Sequence, residues 1–329
     1  MRKKVLITGA SGFVGYHLII EALQSGLEVH AAVRPSSRVE HLSALDVHYT
    51  TLDFTSIECL KRDIESKQYH YIIHAAGVTK AKTPEIYQKV NAGYSKNLAM
   101  AASQADVPLE KFIYVSSLAA IGPLSGLAGQ IDEATAPKPL TSYGKSKLLA
   151  EQYVIENDRL SWLIIRPTAV YGPREKDILI LFKVINRGFE PYIGSFNQQL
   201  SFIYVKDLSK AVIRALFSAH VKKVYNISDG KIYNRYDLAN VTKQILHKKT
   251  LKLHLPVPLV RYMAIFLEKV YERRKAVPAL NMEKMYELTA VNWSCDIRKL
   301  EQELGYFPQT LLEEGLEETL NWYKVNKWL

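Results

Sequence analysis

Short apolar runs alternate with longer amphipathic stretches through the first half of the chain. A short apolar run bounded by turn residues indicates a strand, whereas apolar residues recurring every three to four positions indicate a helix. The predicted strands are Val5–Ile7, Val29–Val33, Val47–Thr51, Tyr71–His74, Phe112–Ser116 and Leu163–Arg166. The predicted helices between them are Val14–Leu23, Ile57–Ile64, Ile86–Ala102 and Lys145–Ile155. This alternation predicts an α/β fold with a doubly wound parallel sheet covered by helices on both faces.

Three glycines spaced three apart follow the first strand and open the first predicted helix. Glycines in such a turn permit a sharp bend, the approach of a pyrophosphate to the backbone and close packing of helix on strand. The free N–H groups at the start of the helix bind phosphate. Because a strand precedes the turn and a helix follows it, the motif predicts a Rossmann-type dinucleotide-binding domain. The residues expected at the phosphates are Thr8, Gly9, Ser11, Gly12, Phe13, Val14 and Gly15.

The pattern changes after Pro173. Helices are predicted over 177–186 and 207–219 and strands over 201–204 and 223–226, and the rest of the chain is mostly helical in pattern. We therefore expect an NAD(P)-binding domain at 1–172 that also includes about 200–228. A smaller, mostly helical substrate-binding lobe is expected from 173–199 and 229–329.

Composition and charge exclude several classes of protein. The 329 residues include 43 Lys and Arg against 33 Asp and Glu, a net charge of +10. The basic residues are scattered, and the densest cluster, Arg273–Lys275, is only three long, so we do not expect nucleic-acid binding. Cys59 and Cys295 are too few for a disulfide scaffold, and no spacing of His and Cys suggests a metal site. The first apolar run ends after three residues, so we expect a cytoplasmic protein without a signal peptide.

The residues after the second strand are expected to select the cofactor. A carboxylate at this position holds the ribose hydroxyls of NAD, whereas an arginine accommodates the 2′-phosphate of NADP. The chain has no carboxylate here and instead carries Arg34, Ser36, Ser37 and Arg38. Arginine binds phosphate through strong charge-assisted hydrogen bonds. We therefore expect a preference for NADP(H), with NAD(H) as the alternative if Arg34 only stacks on adenine.

A tyrosine and a lysine four residues apart, Tyr143 and Lys147, begin the helix that follows the fifth strand. Side chains with this spacing share one face of a helix. A free tyrosine has a pKa of about 10, and a nearby ammonium lowers it by favouring the phenolate. We therefore expect Tyr143 to act as general acid or base on a hydroxyl or carbonyl oxygen, and Lys147 to tune Tyr143 and hold the cofactor ribose.

The Thr-Gly-x-x-Gly-x-x-Gly opening, the Tyr-Lys pair and the Arg-Pro-x-x-x-Tyr-Gly-Pro segment at 166–173 together resemble the extended branch of the short-chain dehydrogenase/reductase family. Its dihydroflavonol-reductase-like and 3β-hydroxysteroid-dehydrogenase-like members are the most similar. The resemblance implies that Ser117 is the third catalytic group and binds the substrate oxygen, with Ser116 as the alternative. It implies that Asp53 contacts adenine, the alternative being a cap on the next helix. The further cofactor contacts that it implies are Phe54, Ala75, Ala76, Gly77, Asn91, Pro167, Thr168 and Ala169.

The resemblance leaves the reaction open. Dehydratases of the family carry two carboxylates after the position of Ser117, where this chain has Leu118 and Ala119. Many epimerases carry an asparagine soon after the position of Arg166, and this chain does not. We expect an oxidoreductase that moves a hydride between NAD(P) and a secondary alcohol or ketone. The alternatives are a sugar-nucleotide epimerase that retains NAD tightly and a non-catalytic NADP-sensing regulator. A homodimer is common in the branch, and the helices at 86–102 and 145–155 are candidates for its interface.

The segment 256–275 combines an apolar helical pattern with basic residues at its end. We interpret it as part of the core of the second lobe or as the lid of an apolar substrate pocket. An apolar helix edged by cations can also lie on an anionic membrane surface, which is the alternative interpretation.

Overall fold

The computed structural model describes residues 2–272 and 277–329. In its first half, strands and helices alternate as the apolar pattern predicts, with shifted ends. The strands are β1 (Lys4–Thr8), β2 (Glu28–Ala32), β3 (Val47–Thr50), β4 (Tyr71–His74), β5 (Lys111–Val115) and β6 (Trp162–Pro167). The helices are α1 (Phe13–Gln24), α2 (Ile57–Lys67), α3 (Pro84–Tyr87), α4 (Tyr94–Gln104) and α5 (Ser142–Ile155). Short 3₁₀ turns lie at Glu40–Leu42 and Leu118–Ala120.

The helix predicted over 86–102 is divided. A π-helical turn, Gln88–Gly93, joins α3 to α4. A π turn inserts an extra residue into a helix and occurs frequently at functional sites. Apolar periodicity does not reveal such a turn, because the helix on each side keeps its own buried face.

The second half adds further elements in chain order. The strands are β7 (Ala169–Tyr171), β8 (Phe189–Ile193), β9 (Gln199–Leu200), β10 (Phe202–Tyr204), β11 (Lys223–Ile227), β12 (Tyr233–Asn234) and β13 (Leu251–Leu255). The helices are α6 (Leu179–Asn186), α7 (Val205–Phe217), α8 (Asp237–Leu246), α9 (Val257–Tyr271), α10 (Met282–Thr289), α11 (Arg298–Leu304) and α12 (Leu312–Val325).

Within the described residues, seven strands form one parallel sheet in the order β11-β6-β5-β4-β1-β2-β3. The order reverses at β1 and β4, so the chain winds outward in both directions from the centre. This is the topology of a Rossmann-type fold, in which the ligand crevice lies at the carboxyl ends of the strands where the order reverses. The predicted fold class is therefore confirmed.

The two faces of the sheet are covered by different helices. Side chains alternate along each strand, so that Val5 and Ile7 pack with residues of α1 and α7, whereas Leu6 packs with residues of α2, α4 and α5. The central strands are buried along their whole length. Both faces being covered explains why these strands are continuous apolar runs rather than alternating ones.

The smaller lobe has its own core and its own short sheets. Its core joins aromatic and leucine side chains of α6, α8 and α12 to Tyr171 and Tyr204. Here β8 pairs with β13, β9 with β12 and β10 with β7. The strand predicted over 201–204 therefore lies outside the main sheet, whereas β11 completes that sheet.

Helix α9 lies within the segment 256–275. The interpretation of this segment as core is wrong for most of the helix, because only Val260 and Ala264 are buried. These two side chains pack against Met285 of α10. The basic cluster Arg273–Lys275 lies outside the described residues. No helix in the described part of the chain is long and apolar enough to cross a bilayer.

Candidate active site

The glycine turn between β1 and α1 leaves the amino end of α1 open. Gly12 precedes the helix, no side chain caps it, and the first turn carries no acidic residue. A Cβ on Gly15 would lie 2.1 Å from the carbonyl oxygen of Gly9, so glycine is needed for α1 to pack this close to β1. Uncapped N–H groups at the positive end of a helix form a site for an anion such as pyrophosphate. The other predicted phosphate contacts lie in the same turn or at the start of α1: Ser11, Phe13 and Val14.

Thr8 is fully buried and turned into the protein. Its hydroxyl is hydrogen-bonded to Nδ1 of His74 at 2.7 Å and accepts from the N–H of Ala76 at 3.1 Å. On the other side of the ring, His74 Nε2 lies 2.8 Å from the hydroxyl of Ser95, which donates to the Asn91 carbonyl oxygen. Burial lowers the pKa of His74 to about 3, so the ring is neutral and links both hydroxyls. Thr8 therefore positions the loop that follows β4 rather than presenting its hydroxyl to a ligand.

The loop after β2 presents two guanidinium groups and no carboxylate. Arg34 and Arg38 are exposed, as is Ser36. The N–H of Arg34 donates to the hydroxyl of Ser37 at 3.1 Å, and the N–H of Ser37 donates to the carbonyl oxygen of Arg34 at 2.9 Å. These two bonds close the loop into a turn at the position where a Rossmann fold holds the adenosine ribose.

Two side chains that the sequence analysis does not single out border the glycine turn. His41 lies beside the backbone of Ser11, and its ring lies 5.7 Å from that of Tyr16. The guanidinium of Arg174 lies 4.5 Å from the centre of the Tyr16 ring. Burial and the charge of Arg174 lower the pKa of His41. No local signal reveals this group, because its members come from distant parts of the chain and meet only in the fold.

Asp53 does not cap the helix that follows it. Ser56 is the N-cap of α2 and accepts from the N–H of Cys59 at 3.2 Å. Asp53 Oδ1 instead accepts from the N–H and the hydroxyl of Thr55, at 2.9 and 2.6 Å. These bonds lower the pKa of the carboxyl, so an exposed carboxylate stands just beyond β3. The neighbouring Phe54 ring stacks on His74 at 6.1 Å, which places it against the end of β4.

Asn91 lies buried in the π-helical turn, and each of its polar atoms has a protein partner. Oδ1 accepts from the N–H of Val78 at 2.8 Å, and Nδ2 donates to the Val78 carbonyl and the Ser146 hydroxyl, each at 3.0 Å. These bonds give Asn91 a positioning role, and its contact with the cofactor stays a prediction. It ties α5 to the loop that carries the predicted cofactor contacts Ala75, Ala76 and Gly77.

Helix α5 begins against the turn that carries Ser117. Thr141 caps α5 by accepting from the N–H of Gly144 at 3.0 Å. A Cβ on Gly144 would lie 2.3 Å from the carbonyl oxygen of Ala119, so glycine alone permits this approach. The close approach brings the side chain of Ser117 near enough to Tyr143 to lower its pKa. The hydroxyl of Ser117 also accepts from the N–H of Ala119 at 3.2 Å.

The phenol of Tyr143 is protonated at neutral pH. Burial raises its pKa to about 12, and the charge of Glu287 adds to the rise, whereas the nearby side chain of Ser117 opposes it. The ring of Tyr87 packs edge-on at 6.2 Å. The groups that shift the pKa of Tyr143 here are Ser117, Glu287 and Tyr87, and tuning by Lys147 stays a prediction.

Lys147 is directed to the end of β5. Its ammonium donates to the carbonyl oxygen of Val115 at 2.7 Å and lies 4.3 Å from the centre of the Tyr114 ring. Burial lowers the pKa of Lys147 to about 7, and the charge of Glu151 partly offsets this. Lys147 remains within one turn of Tyr143 on α5, so the pair shares the carboxyl edge of the sheet.

Ser116, the alternative to Ser117, is occupied elsewhere. Its hydroxyl donates to Glu151, which also accepts from Arg166 Nε at 2.9 Å and Nη2 at 2.6 Å. All three residues are buried. Ser116 thus belongs to a buried ion-pair network beneath the site, and the geometry favours Ser117 as the group beside Tyr143.

The segment that follows β6 contains a buried hydroxyl without a protein partner. Pro167 ends β6, and the N–H of Thr168 donates to the Ile227 carbonyl at 3.0 Å. Among the described residues no group satisfies the Thr168 hydroxyl. A buried polar atom of this kind is costly unless water or a ligand satisfies it. Ala169 is exposed at the start of β7.

Helix α10 of the smaller lobe closes one side of the site. Glu283 accepts from the N–H of Ser142 at 2.6 Å, directly beside Tyr143. Glu287 raises the pKa of Tyr143 and forms an ion pair with Lys284 at 3.0 Å. Sequence reasoning missed both glutamates, because they lie about 140 residues from Tyr143 along the chain and on an element without a recognisable motif.

Within the described residues, no group of three or more His, Cys, Asp or Glu side chains could hold a metal ion. The uncapped amino end of α1, the cationic turn after β2 and the partnerless Thr168 hydroxyl instead fit a dinucleotide along the carboxyl edge of the sheet.

Comparison with known proteins identifies the family. The family model described as NAD dependent epimerase/dehydratase family matches residues 5–228. The chain is 27% identical to a ceramide reductase of Caulobacter vibrioides, over 100% of this chain and 96% of that protein. It is also 27% identical to a decarboxylating sterol-4-alpha-carboxylate 3-dehydrogenase of Candida albicans, over 97% of each. The structure of UDP-glucuronic acid 4-epimerase from Bacillus cereus in complex with NAD is similar, with a TM-score of 0.78, 23% identity and coverage of 98% and 99%.

The chain therefore belongs to the NAD-dependent epimerase/dehydratase family, within the extended short-chain dehydrogenases/reductases. The resemblance inferred from the motifs is confirmed, and with it the expectation of an NAD(P)-dependent enzyme.

Proposed function

We propose that this protein is an NADP(H)-preferring oxidoreductase that reduces the ketone of a small-molecule substrate to a secondary alcohol. The observation that carries the proposal is the contact between Ser117 and Tyr143, with the phenol kept protonated at neutral pH because burial raises its pKa to about 12. A protonated phenol beside a hydroxyl donor is suited to give a proton to a carbonyl oxygen.

The roles of the protein groups follow from their positions. The hydroxyl of Ser117 donates to the substrate oxygen and stabilises the negative charge that develops there. Tyr143 transfers its proton to the same oxygen, and water or a buffer acid later restores it. When bound, the reduced nicotinamide supplies the hydride to the carbonyl carbon. Lys147 is the candidate group for the ribose hydroxyls of the cofactor, because its ammonium lies at the end of β5.

The preference for NADP(H) is supported by the turn after β2. Arg34 and Arg38 are exposed there, and the turn contains no carboxylate to hold the ribose diol of NAD. His41 and Arg174 add a further imidazole and cation beside the glycine turn. A dianionic 2′-phosphate suits this charge better than an unmodified ribose does.

Net reduction is favoured over epimerisation by the residues that follow Arg166. This chain has Pro167, Thr168 and Ala169 there, where many epimerases carry an asparagine. The ceramide reductase and the sterol dehydrogenase, by their names, catalyse net redox reactions. The epimerase alternative keeps support from the NAD-bound UDP-glucuronic acid 4-epimerase, whose fold this chain shares.

We further propose a homodimer in the cytoplasm. The free thiols of Cys59 and Cys295 fit a reducing compartment, and the dimer rests on the branch to which the chain belongs.

The test is cofactor consumption against a panel of ketones, with NADPH and NADH compared at equal concentration. One NADPH consumed for each alcohol formed, with NADH at least about tenfold less efficient, is the expected result. Tyr143→Phe is the matched control, because it removes one hydroxyl and leaves the ring. NADPH binding without turnover on any ketone would instead indicate a regulator, and epimer formation without net cofactor consumption would indicate an epimerase.

A further inference from the structure

The side of α9 that faces away from the protein is apolar. Six large apolar side chains of this fully described helix are exposed, with Tyr262 at 73% and Phe266 at 65%. We call this set the outer face of α9. Its members are Leu259, Tyr262, Met263, Ile265, Phe266 and Val270.

The outer face is a consequence of helical spacing. At 100° per residue, Tyr262 and Phe266 lie opposite Val260 and Ala264, the two buried residues that attach α9 to α10. Apolar side chains on an exposed helix normally occupy the buried side, with polar residues outside. Here both sides are apolar, so the helix has a second surface that remains to be covered. A contiguous exposed patch of this kind marks an interaction site.

Among the described residues, the exposed charged side chains on and against α9 have a small positive excess, with Arg261, Lys269 and Lys82 against Glu268 and Glu272. Arg261 precedes Tyr262 and Lys269 follows Phe266 along α9, and both cations are exposed. Glu268 is exposed, and its Oε1 accepts from the N–H of Met282 at 3.0 Å. Glu272 follows the helix and is exposed, and Lys82 reaches its carbonyl oxygen at 3.2 Å. The chain as a whole carries a net charge of +10.

We propose that α9 docks the protein on an anionic lipid bilayer, lying flat in the interface. Tyr, Phe and long aliphatic side chains beside Lys and Arg have the composition of interfacial helices. With 15 residues, α9 is about 22 Å long, shorter than the hydrocarbon core of about 30 Å, so it lies on the bilayer rather than across it. Charge complementarity selects anionic lipid over a second copy of this cationic chain.

The docking helix borders the active site. Helix α10 packs on α9 through Met285, and Glu283 of α10 accepts from the N–H of Ser142 beside Tyr143. Docking through α9 therefore holds the site next to the membrane surface. Bilayer binding itself does not depend on the proposed reaction.

Co-sedimentation with vesicles tests the proposal. The vesicles are phosphatidylcholine alone, or equal parts phosphatidylcholine and phosphatidylglycerol, at low and high salt. We expect the protein to bind the anionic vesicles at low salt, and this binding should weaken at high salt. Binding to vesicles of phosphatidylcholine alone should be at least about tenfold weaker. Tyr262→Ser with Phe266→Ser should reduce binding at least about tenfold, and Arg261→Glu with Lys269→Glu should do the same.

The matched control is Phe307→Ser with Val325→Ser, which removes side chains of similar exposure, 61% and 74%, elsewhere on the surface. The control should bind vesicles as the unmodified protein does. All variants change exposed side chains, and unchanged thermal unfolding would verify their folding. Absence of binding to anionic vesicles, or binding that survives Tyr262→Ser with Phe266→Ser, would overturn the proposal. A dimer that this double variant dissociates, without vesicle binding, would assign the face to a second copy and also overturn it.

Discussion

Replacing Gly144 by alanine tests how the site is assembled. The added Cβ would lie 2.3 Å from the carbonyl oxygen of Ala119, and real Cβ contacts essentially never fall below 3.0 Å. Helix α5 and the turn after Ser117 must therefore separate by at least about 0.7 Å. Both sides of the contact are backbone, so no side-chain rotation can relieve it. Overpacking of this kind costs about 1–3 kcal/mol of folding stability.

The separation acts directly on the pair that performs the proposed chemistry. Tyr143 stands one residue before Gly144, and Ser117 lies two residues before Ala119. A displacement approaching 1 Å between reacting groups can cost about 100-fold in rate. We expect Gly144→Ala to lower kcat for ketone reduction by about that factor while NADPH affinity, set by the glycine turn and Arg34, stays within about twofold.

Gly126→Ala is the matched control. No atom lies within 4 Å of a Cβ at Gly126, so this variant should keep the activity and stability of the unmodified protein. The assay combines steady-state reduction of the best ketone with NADPH titration and thermal unfolding. Gly144→Ala with full kcat and unchanged stability would refute the inferred dependence of the site on this contact.

Three further outcomes are expected. Tyr143→Phe should lower turnover at least about 1,000-fold while NADPH titration shows nearly unchanged affinity; activity within tenfold of the unmodified protein would contradict the role of the phenol. Arg34→Ala should weaken NADPH binding about 10- to 100-fold and leave NADH binding nearly unchanged, and equal losses for both would exclude a 2′-phosphate contact. In chemical denaturation, Glu151→Ala should lower the free energy of unfolding by about 3–5 kcal/mol, because it leaves Arg166 buried and unpaired. Lys206→Ala breaks an exposed ion pair and should lower the free energy of unfolding by less than about 1 kcal/mol.

The two directions of reaction should differ in their dependence on pH. Because the pKa of Tyr143 is raised to about 12, the phenol is protonated throughout the neutral range and can donate its proton. The phenol itself should therefore leave the rate of ketone reduction unchanged from about pH 6 to 8, so that a change over this range reports Lys147, whose pKa is lowered to about 7. Alcohol oxidation, which needs the phenolate, should rise with pH. Rate measurements in both directions across this range are the check, and an oxidation rate that falls as pH rises would contradict the assignment.

The main sheet is predictable from sequence because its strands are buried on both faces. Runs such as Tyr71–His74 are buried throughout, and the glycine turn fixes which strand comes first. Several short strands of the smaller lobe cannot be predicted in this way. Pro191 lies inside β8, where a proline normally argues against a strand. The proline is tolerated because, among the described residues, β8 pairs with β13 alone and so keeps one free edge.

The sequence predicts which side chains are catalytic, but it does not predict the contacts that these side chains make. Spacing alone places Tyr143 and Lys147 on one helix, whereas the contact of Lys147 with the Val115 carbonyl depends on how α5 packs on β5. The glutamates of α10 reach the site only through the fold of the smaller lobe. For α9, the sequence predicts an apolar helix. Only the packing shows that most of its large apolar side chains are exposed.

The nucleotide released by denaturing freshly purified protein tests the central proposal most directly. A reductase exchanges its cofactor at every turnover, whereas an epimerase keeps the same nucleotide between its two half-reactions. We expect little bound nucleotide, with NADP(H) as the species detected. Near-stoichiometric NAD(H) would contradict the proposed net reduction and the assignment of Arg34 to a 2′-phosphate.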